Sequence, residues 1–221
     1  MARKRSPSNG RCNLCGGIFD KAVMGRHLNA CKQKARASGA KRAGKAAVHL
    51  LVEGRYQPEY WMHLEAPANA TLDTLDRFLR DIWLECCGHM SEFEIDGTRY
   101  SVEPMDMDDE SMDVKLSEVL SPGTKFDYIY DFGSTTPLRL KVVSEDESDL
   151  AGRKVRVLAR NEPPVIPCGN CGKPATEICV ECAYSEQGWL CKECAAKHEC
   201  GEEMFLPVVN SPRTGVCGYT G

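Results

Sequence analysis

The chemistry available to this chain lies mainly in its thiols. Eight of its thirteen cysteines fall in four Cys-x-x-Cys pairs, and three of those pairs lie in the run CGNCGKPATEICVECAYSEQGWLCKECAAKHEC near the C-terminus. That run offers eight soft ligands in order: Cys168, Cys171, Cys179, Cys182, Cys191, Cys194, His198 and Cys200. A Cys-x-x-Cys pair clasps one side of a tetrahedral ion, and Zn2+ takes four such ligands, so eight imply two ions. Successive pairs are separated by only 7 and 8 residues, too few for two independent fingers. The spacing points instead to a cross-braced arrangement of the B-box kind, in which alternate pairs share an ion. Cys168, Cys171, Cys191 and Cys194 then hold one ion, and Cys179, Cys182, His198 and either Cys200 or Cys217 hold the other. Iron–sulfur chemistry also uses four cysteines, but His198 and the finger-like spacing favour zinc.

A second ligand set stands at the other end of the chain. Cys12 and Cys15 are followed by Gly16-Gly17, which allows a tight turn behind two thiolates. The stretch KAVMGRHLNACKQKARA reads as a helix carrying Val23, His27 and Cys31 on one face. Cys12, Cys15, His27 and Cys31 thus make a Cys3His zinc finger, and a segment this small needs the metal in order to fold. The expected total is three zinc ions. A catalytic zinc keeps one position open for water, and the deaminase pattern pairs His-x-Glu with a later Pro-Cys-x-x-Cys. His198-Glu199-Cys200 does not fit that spacing. Structural zinc is expected, with no catalytic residue and no enzymatic activity.

Other polar groups invite a site and are read more simply. Cys86-Cys87 closes a helix and is read as packing, and His49, His63 and His89, which stand singly, are read as core or surface histidines rather than ligands. Asp106, Asp108, Asp109, Glu110 and Asp113 lack the spacing of a calcium loop and are read as a solvated acidic segment. No phosphate-cradling glycine loop is present.

The net charge of −4 conceals an uneven distribution. Residues 1–46 carry twelve Lys or Arg against one acid, Asp20, for +11, whereas residues 47–160 sum to −11 and residues 161–221 to −4. A basic head attracts phosphate through counterion release. Arg3, Lys4, Arg5, Arg26, Lys32, Lys34, Arg36, Lys41 and Arg42 are the expected nucleic-acid contacts. A protein partner for the C-terminal zinc module is the companion expectation. In the alternative reading the fingers bind only protein and the basic arm is a solubilising linker. No apolar run approaches the roughly 18 to 20 residues of a membrane span, and the basic N-terminus lacks the apolar stretch of a secretory signal. A cytoplasmic location is expected, where thiols stay reduced, and no small-molecule substrate is indicated.

These groups must be positioned by the elements between them. AAVHLLVEG and YWMHLEAP read as strands, and ATLDTLDRFLRDIWLECC reads as the clearest amphipathic helix, capped by Thr71 or Asn69. SEFEIDGTRYSVE is a hairpin around Asp96-Gly97. KLSEVL is a turn or two of helix, and KFDYIYDF and LRLKVVSE are further strands. Strands around one long helix, without repeated βαβ units, predict an α+β fold with a mainly antiparallel sheet, flanked by two small zinc-stabilised domains. The expected divisions are a basic finger (1–34), a basic linker (35–46), the α+β domain (47–160) and a Cys-rich zinc domain (161–221). The Pro-rich NEPPVIP marks the last hinge.

The succession YQPEYWMHLEAPANATLDTLDRFL, HMSEFEIDGTRY and KLSEVLSPGTKFDYIYDFG resembles the plasmid pRiA4b ORF-three-like family, most specifically at Tyr130-Asp131-Phe132-Gly133. The resemblance covers about 100 residues of the 221. It implies an α+β fold in a prokaryotic plasmid or mobile-element setting, with no well-defined activity. The chain departs from the family pattern at Cys86–Ser91 and Ser134–Leu138, so no site is carried over from those positions.

Overall fold

The computed structural model describes residues 8–38, 44–104, 107–150, 154–183 and 185–221. Thirteen strands and four α-helices occur among them. The chain opens with β1 (Asn9–Cys12), β2 (Ile18–Asp20) and α1 (Lys21–Ser38), and continues through β3 (Lys45–Gly54), β4 (Trp61–Pro67) and α2 (Leu72–Leu79). Next come β5 (Ser91–Ile95), β6 (Thr98–Ser101), β7 (Asp109–Ser111), α3 (Leu116–Val119), β8 (Lys125–Tyr130), β9 (Thr136–Ser148) and β10 (Arg156–Asn161). The C-terminal module contains β11 (Glu177–Cys179), β12 (Trp189–Leu190), α4 (Lys192–Ala195) and β13 (Phe205–Pro207).

Ten strands form one sheet in the order β2-β1-β10-β4-β3-β9-β8-β5-β6-β7, antiparallel throughout except for the β6–β7 pair. The class is α+β, as the sequence pattern predicts. The reason lies in β4, whose first six residues are all buried. Side chains alternate across a strand, so Met62, Leu64 and Ala66 enter the main core with Leu72, Leu75 and Leu79 of α2. Trp61, on the opposite face, packs with Met24 and Leu28 of α1. Helices therefore cover both faces of this part of the sheet.

Two local devices match the expected chemistry. The Thr71 hydroxyl accepts from the Thr74 amide at 3.2 Å and caps α2. Asp96 and Gly97, with φ of +50° and +85°, make the hairpin turn between β5 and β6. The long helix is a different matter. α2 is regular for only eight residues and then widens into a π turn over Arg80–Leu84, which buries both Trp83 and Leu84. Among the described residues the longest helix is α1, with 18 residues, in the N-terminal segment.

The N-terminal segment is built into the central sheet. β1 pairs with β10, Gly10 facing Asn161 and Cys12 facing Ala159. A Cβ at Gly10 would run into the Trp61 indole and the Arg160 carbonyl, so only glycine allows this approach. The acidic segment contributes β7, a short strand parallel to β6.

Candidate metal centres

The first ligand set is assembled by a knuckle and a helix. β1 ends at Cys12, whose amide bonds the Gly17 carbonyl at 2.9 Å, and Gly16 turns the chain with φ of +76°. α1 presents His27 and Cys31 one turn apart. The ligand atoms of Cys12, Cys15, His27 and Cys31 all lie within 4.8 Å of one another, with Cys15 Sγ 3.4 Å from His27 Nε2. The His27 ring stacks on Phe19 at 3.7 Å, which fixes its orientation.

The C-terminal set divides as the cross-braced spacing predicts. Cys168, Cys171, Cys191 and Cys194 form one group and Cys179, Cys182, His198 and Cys200 another. β11 stands between β12 and β13, carrying Cys179 at its end, while Cys191 immediately precedes α4 and Cys194 lies on it. Cys171 and Cys191 sulfurs are 3.6 Å apart. A tetrahedron with zinc–sulfur bonds of about 2.3 Å has edges of about 3.8 Å, so the donors stand close to the separations zinc requires. Of the two cysteines left open by the sequence, Cys200 lies with the second group and Cys217 lies elsewhere.

The thiols are free and none is in a disulfide. Their mutual crowding is visible in their proton affinities. Neighbouring Cys171 and Cys191 push Cys194 up to about 12, and burial together with the Cys12 charge pushes Cys31 up to about 11. Burial raises Cys168 as well, but backbone N–H groups of Cys191, Cys171 and Asn170 outweigh it and bring that thiol down to about 6. A shared cation relieves such crowding by holding all the thiolates at once.

A fourth group has the same composition and was not foreseen. Cys86, Cys87, His89 and Cys217 also bring their ligand atoms within 4.8 Å of one another. Reading Cys86-Cys87 as packing holds only in part: Cys86 is half-buried against the core, but Cys87 is exposed. Nor is His89 a plain core or surface histidine, since its Nε2 lies 3.0 Å from Cys87 Sγ and 3.2 Å from Cys217 Sγ. The available signal was Cys-Cys-x-His together with an unassigned cysteine, Cys217. His49 and His63 are buried core histidines, as the sequence reading expects. Their rings share a hydrogen bond of 2.9 Å between Nε2 and Nδ1 beneath α1.

The expected nucleic-acid contacts separate into three groups. Arg3, Lys4, Arg5, Lys41 and Arg42 lie outside the described residues, as does the side chain of Arg36. Arg26 and Lys34 are exposed on α1. Lys32 requires correction: it is 7% exposed and its ammonium sits 3.0 Å from Glu65 and 3.6 Å from Asp146. α1 turns that position toward the sheet, so Lys32 ties the helix down and does not face a ligand.

The fold and these donor sets define an α+β protein carrying Cys/His groups of the zinc-binding kind. The chain belongs to the plasmid pRiA4b ORF-3-like protein family, whose model matches residues 46–173, more than half of its length. Among solved structures, it is similar to a protein of unknown function, MM3350 from Methanosarcina mazei Go1. The identity is 18% and the TM-score 0.46, with 53% of this chain and 70% of that one covered. No curated protein matches. Among the described residues, no helix is long and apolar enough to cross a membrane.

Proposed function

We propose that this protein is a non-enzymatic adaptor. Zinc holds its terminal segments, its basic N-terminal finger contacts nucleic acid, and its C-terminal zinc module engages a protein partner in a plasmid or mobile-element setting. Cys12, Cys15, His27 and Cys31 would hold one zinc ion, and the two C-terminal groups would hold one each. Four protein ligands per ion fill a tetrahedron, which favours a structural over a catalytic role. The ion then acts as a cross-link within each short segment.

The observation that carries the nucleic-acid reading is the charge of +11 on residues 1–46. Arg26 and Lys34 hold part of it on the exposed side of α1. Deleting the whole segment is a poor test, because it strips β1 from β10 and uncovers Trp61. Charge reversal in the full chain at Arg3, Lys4, Arg5, Arg26 and Lys34 avoids that damage. The wild type should be retained on immobilised DNA or RNA at low salt and released by about 0.5 M, with the reversed variant flowing through. Equal retention of both would remove the nucleic-acid role and leave the protein-only reading.

A further inference from the structure

We propose that Cys86, Cys87, His89 and Cys217 form a fourth zinc centre, which latches the C-terminal tail to the central sheet. With this group included, all thirteen cysteines belong to four-ligand sets and no thiol is left over. The Sγ–Sγ separations are 3.6 Å for Cys86–Cys87 and 3.8 Å for Cys87–Cys217. These are close to the roughly 3.8 Å edge of a zinc–thiolate tetrahedron.

The backbone is shaped to deliver these ligands. The π turn that ends α2 leads directly to Cys86 and Cys87, and Gly88 at φ +79° reverses the chain so that His89 faces back. Cys217 itself takes φ +50°, between Gly215 at +81° and Gly218 at +70°. A non-glycine residue held in that region marks a position fixed by its surroundings.

The tail is also anchored independently of any ion. The Trp83 indole donates to the Asn210 carbonyl at 3.1 Å, and the Ser211 hydroxyl donates to the Trp83 carbonyl at 2.6 Å. Arg213 is fully buried. It donates to Asp131 at 2.8 Å, to the Thr136 hydroxyl at 2.9 Å, to the Ser134 carbonyl at 3.1 Å and to Cys86 Sγ at 3.3 Å. Three thiolates and a histidine around Zn2+ carry a net charge of −1, and a guanidinium on one sulfur is the outer partner such a site needs. Asp131, in the Tyr-Asp-Phe-Gly step, holds that guanidinium in place and lies 3.4 Å from His89 Nε2. The centre would thus join two segments about 130 residues apart, whereas the other three sets each gather ligands from a short stretch.

The test is a count of bound zinc on the full-length protein by native mass spectrometry after purification with zinc and reductant. Four ions are expected in the wild type and three in Cys217→Ser and in His89→Ala. Tryptic cleavage after Arg213 should be faster in both variants, since the tail loses its clasp. If either fails to fold, Cys87→Ser alters an exposed position and should also hold three. A wild type with three ions, or a Cys217→Ser variant retaining four, would overturn the centre and leave the other three intact. So would three ions with a mass short by two hydrogens, the mark of a disulfide here. Fewer than three ions in the wild type would overturn this proposal together with the reading of the other sets.

Discussion

The N-terminal finger and the C-terminal module carry similar ligand sets but are supported differently. Around Cys12, Cys15, His27 and Cys31, the helix that supplies two ligands also buries Met24 and Leu28 against Trp61, Leu158 and Ala159 of the sheet. Around Cys168, Cys171, Cys191 and Cys194, the buried cluster is Leu190, Ala195 and two of the cysteines themselves. At roughly 1.5 to 3 kcal/mol for each large apolar side chain buried, the first segment has attachments that survive loss of an ion. The second buries few large apolar side chains besides its ligands, chiefly Leu190 and Ile178. Similar coordination can therefore be reinforcement in one place and the fold itself in another.

The largest expected effect separates the two directly. Cys191→Ser removes a buried ligand, and structural zinc contributes about 10 kcal/mol or more to a small domain. Amide signals of residues 168–206 should collapse to unfolded positions while those of β3, β4 and β9 persist. Cys12→Ser should release its ion but leave Met24 and Leu28 protected from exchange, because β1 and α1 remain packed on β10 and β4. If both variants lose their segments equally, the contrast is wrong.

How the finger is fastened was only partly legible in the sequence. The knuckle and the helix are local features, and spacing showed them. So were the Asp96-Gly97 hairpin and the Thr71 cap. The pairing of Cys12 with Ala159 joins residues far apart, and nothing in either short stretch announces its partner. β10 was missed for that reason, and with it the continuity of finger and sheet. Lys32 was misread because charge was counted along the chain, while the fold sorts charges by helix face. The fourth cysteine group failed in the same way: its two halves are adjacent only after the tail docks. β4, by contrast, reads as a strand because its apolar content is local, yet its burial on both faces emerges only with α1 in place.

Lys32 offers a sharper and smaller test of the attachment. Glu65 is 1% exposed and takes the Lys32 ammonium at 3.0 Å, the Ser148 hydroxyl at 2.7 Å and the Arg156 guanidinium. Burial raises its proton affinity, but the Ser148, Lys32 and Arg156 contacts outweigh that and lower it overall. Lys32→Ala leaves this buried carboxylate with one cation fewer, at a cost of about 2 to 3 kcal/mol because Arg156 remains. Urea unfolding of the central domain should move by that amount, with nucleic-acid retention unchanged. A variant that keeps its stability but loses retention would return Lys32 to the surface role that its burial denies.

The smallest effect concerns the histidine pair beneath the same helix. Burial, reinforced by the Lys32 charge, lowers His49 to about 2 and His63 to about 4, both below the ordinary value of about 6.5. Both stay neutral in the folded protein and take up protons only on unfolding, so stability is present above pH 6.5 and is lost as the pH falls. Between pH 7.5 and 6.0 each should contribute a loss of about 0.8 kcal/mol, about 1.6 together. Zinc ligands titrate too, but they are common to wild type and to a His49→Gln/His63→Gln variant, so the difference between their pH slopes isolates the pair. Unfolding free energies measured at the two pH values with zinc in excess should show a shallower slope in the variant. Parallel slopes would mean that water reaches these rings and that α1 does not seal this face of the sheet.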